Sequence, residues 1–406
     1  MKKFLLILFT VLLCTFAFFY KENKLEKANV VKFSSWGSQT ETQLLKELLD
    51  DFEKTNNIKV EFQHIPQNYF QKIHLLFSSN LEPDVIFINN HYLKMYAEAN
   101  LLEDLTEIFK EDFKNYHEVS LNCLTHKGKI YAIPRDISAL VLYINKDIIK
   151  DNINPKTIYE LRDIAKKYTN KNHFGINYEE DPLFWLYYLA SNGGGVISDD
   201  GKSIILDKRE SYEALDLYSD YSNKYHIAPT KAEIASMTTA QMFINGKLAM
   251  YLGGRWMLPK FKETIAFKWD IVEFPSSETN KIYIDSSGWA IAKKSQNKEN
   301  AIKLVKFLSS EEALEKLSRS GLITPARKIK DNENIFTKML NHAKPTPTNT
   351  SYNKINDILR TKGESVLLGE KTAEEAFDEN TIKKLESLLW WNILQNFLKL
   401  KKRIQL

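Results

Sequence analysis

An α/β fold built on mainly parallel sheet is what this sequence predicts, on three observations. Strand-like and helix-like patterns alternate from residue 29 onward, and the alternation resumes after Pro134. The chain has 406 residues, 43% of them hydrophobic and 27% charged, which suffices for two domains with separate cores. Regular alternation favours parallel pairing, because a crossover helix must carry the chain back before the next strand can run in the same direction.

The first set of elements opens with "NVVKFSS", which alternates like a strand. Next comes a helical stretch that places Leu44, Leu45, Leu48, Leu49 and Phe52 on one face. The strand "IKVEFQHI", an amphipathic segment from Tyr69 to Phe77 and the strand "DVIFIN" complete the set. Ligands of such sheets bind beyond the carboxyl ends of the strands. Trp36 lies at one of these ends, and Asn89, Asn90 and Tyr92 lie at another.

After Pro134, "ALVLYI" reads as a strand, Thr157 to Tyr168 as a helix capped by Thr157, and "HFGINY" as a strand. "PLFWLYYLA" reads as a buried helix ending in the flexible turn "SNGGG". Helices are predicted over Arg209 to Lys224 and Glu233 to Asn245. "GKLAMYLGGRWMLPKF" gives a strand, a glycine pair and a helix with Trp256 at its start. "SSGWAIAKKSQNKENAIKLVKFL" gives a strand, a turn and a helix with Ala301, Leu304, Val305 and Leu308 on one face. The polar connection "NHAKPTPTNTSYN" leads to a last helix from about Ala373, whose end is apolar and then basic.

A net charge of +4 from 56 basic and 52 acidic residues is too small and too dispersed for nucleic acid. The N-terminal "MKKFLLILFTVLLCTFAFFY" has two lysines and then an apolar run from Phe4 to Tyr20, the composition of an export signal. Bulky residues around Ala17 give no small-x-small cleavage site, so residues 1–27 read as a signal peptide or an uncleaved membrane anchor, with Cys14 a candidate for lipid. Cys123 alone remains beyond this segment, which excludes an intramolecular disulfide and makes it a buried small hydrophobe.

The motifs of common catalysts are absent: no H-E-x-x-H, G-x-S-x-G, G-x-x-x-x-G-K-[ST] or C-x-x-C occurs. The histidines are scattered, Glu179 with Glu180 reads as solvated loop charge, and no metal or cofactor is expected. What stands out is a set of aromatic and polar residues at predicted strand ends and helix starts: Trp36, Asn90, Tyr92, Arg135, Asp136, Arg255, Trp256 and Trp289. A sugar presents C–H patches that pack on flat rings and hydroxyls that need polar partners, so this mixture suits carbohydrate. Trp185 and Trp269 read as core, as does Trp289 on local grounds, whereas Trp36 sits beside a glycine and Trp256 close to one, each at an element junction.

Four stretches in order, "GKIYAIPRDISALVLYINKDII", "FINGKLAMYLGGRWMLPKF", "SGWAIAKKSQNKENAIKLVKFLSSEEALEKL" and "GLITPARK", resemble the extracellular solute-binding proteins of family 1, the sugar-binding components of ABC importers. The resemblance covers roughly residues 29 to 390 and implies a two-lobed periplasmic-binding-protein-like fold of type II, maltose-binding-protein-like, with a ligand cleft between the lobes. It implies a first lobe of 28–138 with 281–330, a second of 139–280 with 331–390, and a basic amphipathic extension over 391–406. Crossings are then expected near Ile137 to Ala139, near Asn280 to Tyr283 and through Ile329 to Lys344. Carried onto this chain, the binding surface comprises Ser35, Trp36, Asn90, Asp136, Gly254, Arg255 and Trp256, with Trp289 near the cleft floor. Tyr143 and Asn145 would support the hinge strand.

The expected function is therefore capture of a sugar or oligosaccharide by an exported monomer and its delivery to an ABC permease. Arg135 and Arg255 leave open a glycerol phosphate-type ligand, since guanidinium forks suit phosphate as well as hydroxyls. A ligand-sensing subunit for a membrane signalling protein is a further alternative. An enzyme is the third, and no turnover is expected.

Overall fold

The computed structural model describes residues 29–277, 279–329 and 334–389. The N-terminal run with Cys14, part of the expected third crossing and the basic extension over 391–406 lie outside the described residues. Among the described residues no helix is long and apolar enough to cross a membrane.

In chain order the first elements are β1 (Val30–Ser35), α1 (Gln39–Asn56), β2 (Lys59–His64), α2 (Tyr69–Ser78), β3 (Val85–Asn89) and α3 (Asn90–Glu98). Ser38 starts α1 by accepting the Glu41 amide on its hydroxyl, and Asn57 ends it in the left-handed region at φ 53°. The face predicted for α1 is the buried one: Leu45, Leu48, Leu49 and Phe52 are inside. β4 (Ile133–Ser138) and β5 (Leu140–Asn145) follow, separated by Ala139 alone.

Next come α4 (Ile158–Lys167), α5 (Pro182–Ser191), α6 (Arg209–Asn223), α7 (Lys231–Ile234), α8 (Thr239–Ile244) and β6 (Met250–Gly254). Thr157 caps α4, accepting from the Glu160 amide. Trp185 on α5 is fully buried, as its apolar surroundings predicted. The single helix predicted over Glu233 to Asn245 is instead two short ones. The cause is local: Ala235 turns to φ 52°, and Thr238 starts α8 by capping the Gln241 amide. "HFGINY" forms no continuous strand: His173 bridges to Asn170 and Phe174 to Leu248.

The remainder comprises α9 (Leu258–Thr264), β7 (Trp269–Glu273), β8 (Ile282–Ile291), α10 (Lys298–Leu308), α11 (Glu311–Arg319), β9 (Thr324–Pro325), β10 (Ala343–Pro345) and α12 (Tyr352–Leu367).

Two sheets carry these strands, and Thr125–His126 pairs with Lys129–Ile130 in a separate two-stranded one. The larger has the order β9-β4-β8-β3-β1-β2, with β10 also paired to β8. The smaller has the order β6-β5-β7. The chain passes from the larger to the smaller sheet at Ala139 and returns between β7 and β8. β10 lies within the stretch that the resemblance assigns to the second lobe, and it pairs with β8 of the larger sheet.

Strand direction departs from the expectation of mainly parallel sheets. β1 pairs in parallel with β2 and β3, where helical crossovers join them. β8 runs antiparallel to β3 and β4, and every pair in the smaller sheet is antiparallel. β5 and β8 enter their sheets from the other lobe, so no βαβ crossover sets their direction.

The core of the larger sheet is aromatic. Trp289 on β8 is fully buried and meets Phe33 edge-on at 5.2 Å and Phe87 at 6.1 Å. Beside it, the register of β8 against β4 shifts between Ser287 and Gly288. A Cβ on Gly288 would lie 2.2 Å from the Ile133 carbonyl oxygen, so this close strand approach demands glycine. Gly288→Ala is expected to cost about 1–3 kcal/mol. It should lower the urea midpoint without changing the m-value, and an unchanged midpoint would contradict this packing.

Candidate functional site

Four elements converge on a cavity of about 250 Å³ between the two sheets. α3 contributes His91, the start of α5 contributes Asp181, Leu183, Leu186 and Tyr187, β8 contributes Tyr283 and Asp285, and α12 contributes Tyr352, Asn356 and Arg360.

Its polar groups are held in specific ways. Asp181 is the N-cap of α5, accepting the Leu183 amide at 2.9 Å, and its other oxygen faces Arg360 at 3.3 Å. Both side chains of this pair are more than half exposed, so it adds little stability and stays available to ligand hydroxyls. Asp285 accepts from Asn90 Nδ2 and from His91 Nε2, each at 2.8 Å. Tyr187 accepts the Leu140 amide at 2.9 Å and so ties α5 to the first strand after the crossing. The His91 ring meets Tyr352 at 4.9 Å, which brings α3 and α12 together across the cleft.

Electrostatics favour the charged His91–Asp285 pair. Burial opposes the charge on His91, but the Asp285 carboxylate outweighs it and holds the imidazole above its ordinary pKa. Burial likewise opposes the charge on Asp285, and His91 with Asn90 outweighs it, so that carboxyl is held below its ordinary range.

The residues singled out in the sequence fall into two groups. Trp36 and Trp256 are 46% and 40% exposed, unusual for tryptophan, although neither lines this cavity. Trp36 rests on Phe87 at 5.9 Å, and Ser35 beneath it is buried with its hydroxyl on the Trp36 carbonyl. Gly254 accepts from the Tyr143 hydroxyl at 2.9 Å, and the Trp256 ring folds back over it into the space a Cβ would fill. Arg255 lies 5.1 Å from the Phe336 ring, and burial pulls its pKa down.

The other group is committed inside the protein. Arg135 is buried, pairs with Asp136 and Glu41, and lies over Phe87 at 5.0 Å and Trp289 at 5.4 Å. Asp136 also accepts from the Ser287 amide and hydroxyl. Asn90 is spent on Asp285 and on the Ser286 amide. Tyr92 stacks on Phe70 at 3.7 Å, and Trp289 is core. These contacts give the polar atoms or ring faces of Asn90, Tyr92, Arg135, Asp136 and Trp289 partners inside the protein.

Sequence reasoning missed His91, Asp181, Asp285 and Arg360. Asp285 carried a usable signal, a lone acid inside the apolar strand "IYIDSSGWAI".

A family model described as bacterial extracellular solute-binding protein matches residues 47–342. The galactooligosaccharide-binding protein of Bacillus subtilis is 22% identical over 365 residues, covering 85% of this chain and 86% of its own. The maltooligosaccharide ABC transporter solute-binding lipoprotein of Streptococcus pneumoniae is 26% identical over 276 residues, covering 62% and 64%. Among solved structures, an ABC substrate-binding protein of Listeria monocytogenes in complex with cycloalternan superposes with a TM-score of 0.79 at 25% identity, covering 90% of this chain and 98% of its own. Maltose-bound MalE3 of T. maritima gives 0.77 at 23% identity, covering 88% and 99%. The chain shares their two-lobed fold of type II.

Two measurements test these charge pairs. Arg135→Met strands Glu41 and Asp136 as buried acids and is expected to cost about 3–5 kcal/mol in urea unfolding; a loss below about 1 kcal/mol, the scale of an exposed pair, would contradict the arrangement. The second concerns pH. A raised His91 pKa contributes stability that is complete below about pH 6.5 and lost as pH rises through the folded value. A lowered Asp285 pKa contributes stability that is complete above about pH 4 and lost as pH falls through its folded value. The stability gap between the native chain and His91→Gln should therefore peak at about pH 5 to 6 and shrink on both sides. A gap independent of pH would sink the ion-pair reading.

Proposed function

The chain belongs to the bacterial extracellular solute-binding proteins, and on that footing we propose that it captures a sugar or oligosaccharide between its lobes and delivers it to an ABC permease. The observation that carries the proposal is the cavity where acidic, basic, amide and phenolic groups from both sides of the crossing meet. Hydroxyls of a saccharide match that donor and acceptor mixture, with Asp181 and Arg360 as the paired polar contacts. The exposed rings of Trp36 and Trp256 supply flat surfaces for pyranose C–H faces. Relatives named for galactooligosaccharide and maltooligosaccharide, and a neighbour holding cycloalternan, support this ligand class. The family consists of ligand-binding transport proteins and not of enzymes.

Closure about the crossings at Ala139 and between β7 and β8 would bring the two walls together, driven by contacts the ligand makes with both. A phosphorylated ligand is less favoured, because the Arg135 guanidinium is spent on Glu41 and Asp136. Export, with residues 1–27 as signal or anchor, a position outside the cytoplasmic membrane and a monomeric state complete the reading.

Thermal shift and calorimetry of the purified protein against neutral sugars, malto- and galactooligosaccharides and glycerol phosphates test it. A neutral saccharide should raise the melting temperature. Asp181→Ala and Arg360→Ala should each weaken its binding about 10- to 100-fold, the loss of a hydrogen bond to a charged group. A response confined to glycerol phosphates would defeat the saccharide reading.

A further inference from the structure

A second cavity, of about 390 Å³, shares two elements with the first. α3 gives His91 to the first and Lys94, one helical turn further on, to the second. The segment that leads into α12 is divided in the same way: Thr346 and Tyr352 line the first cavity, and Thr348, Asn349 and Thr350 line the second. Residues 199–202, in the connection between α5 and α6, form another wall.

Three donors on these walls lack an acceptor. The partly buried Lys94 donates to the Thr348 carbonyl at 2.7 Å, which leaves two of its three N–H groups. Burial pulls its pKa down, and among the described residues no carboxylate pairs with it. The acids that line the cavity are committed elsewhere: Glu98 accepts from His126 and Lys127, Asp199 from Lys344, and Asp200 from Ser198 and the Lys202 amide. Asn349 Nδ2 and the Thr350 hydroxyl are the other two donors, and both atoms are buried without a hydrogen-bond partner. The Asn349 amide cannot turn to mend this, because its Oδ1 accepts the Ser351 amide at 2.9 Å. Buried donors without partners are costly, so two of them beside an unpaired ammonium mark a place for an acceptor that carries negative charge.

We propose that this cavity binds a small organic carboxylate as a second ligand, held by Lys94, the Asn349 amide and the Thr350 hydroxyl. Charge on the walls decides the class. Lys94, Lys127 and Lys202 are matched in number by Glu98, Asp199 and Asp200, so a single negative charge answers the unpaired ammonium, whereas a doubly charged phosphate would also meet three acids. The volume lies at the low end of the range of about 300–1,000 Å³ typical of ligand sites, which leaves room for a short body beyond the carboxylate. The stems of the three lysines give that body apolar surface. The site is independent of the saccharide reading, because none of its three donors lines the first cavity.

Calorimetry and thermal shift of the full chain with lactate, benzoate, glucuronate and inorganic phosphate test it, with lactamide as the uncharged control. At least one carboxylate should bind with a Kd below about 1 mM and raise the melting temperature, and lactamide should do neither. Asn349→Asp keeps the acceptor for the Ser351 amide and sets a carboxylate where the ligand's would lie. It should abolish the response and, by pairing with Lys94, raise the melting temperature of the unliganded chain. Thr350→Val should weaken binding about 10- to 100-fold, the loss of a hydrogen bond to a charged group, and it keeps the test open if Asn349→Asp does not fold. No response to any carboxylate, an equal response to lactamide, or a response undiminished in both variants would overturn the site. Phosphate binding as tightly as every carboxylate would overturn the ligand class, and a response lost in Arg360→Ala would move the anion to the first cavity and overturn the assignment.

Discussion

The buried guanidinium of Arg135 is the interaction on which the rest of the architecture depends. It sits on the aromatic floor of Phe87 and Trp289, one carboxylate reaching it from α1 and the other from its own neighbour. That neighbour, Asp136, is bonded in turn to Ser287 on β8. β4 and β8 are the two strands through which the chain leaves the larger sheet and returns to it. The cluster therefore clamps both crossing strands side by side, only a few residues from where they cross. On the proposed closure, rotation between lobes would then fall outside this clamp, on Ala139 and on the stretch between β7 and β8, as a hinge confines large dihedral changes to a few positions.

One step further along β8, Asp285 collects Asn90 and His91 from the start of α3. The same acid thus joins the clamped part of the larger sheet to the wall of the interlobe cavity. His91 in turn meets Tyr352 of α12, so a group fixed by the first lobe touches the helix that lines the second. The polar seam at the back of the cavity is partly structure and partly surface, with His91 paired to Asp285 and Arg360 to Asp181.

Local pattern was enough to read the β1-α1-β2-α2-β3 run, the Thr157 cap, the burial of Trp185 and the element junctions that expose Trp36 and Trp256. These features are set by neighbours within a few residues, where periodicity and capping act. Strand direction was not legible, because β8 and the smaller sheet receive strands from across the hinge. The break at Ala235 was hidden because alanine is a strong helix former, and the Thr238 cap that restarts the helix lies inside an otherwise helical pattern. Asp181, Arg360 and His91 each look like ordinary surface polar residues in their own segments. Only their convergence from helices separated by many dozens of residues makes them a site, and no spacing rule encodes that. Conversely, the "PRD" stretch drew attention through its charges, yet those charges are consumed in the fold.

Cavities in this chain do different thermodynamic work because different bodies line them. The one of about 250 Å³ takes residues from both sides of the hinge, so contacts made there differ between open and closed arrangements. Only such differential contacts can shift that equilibrium. Another, of about 730 Å³, is lined by the loop after Asn177, by α6 to α9, by β6 and by the C-terminal half of α12, all on the side of the smaller sheet. A contact made within one body alone does not differ between open and closed arrangements, so it cannot by itself shift that equilibrium.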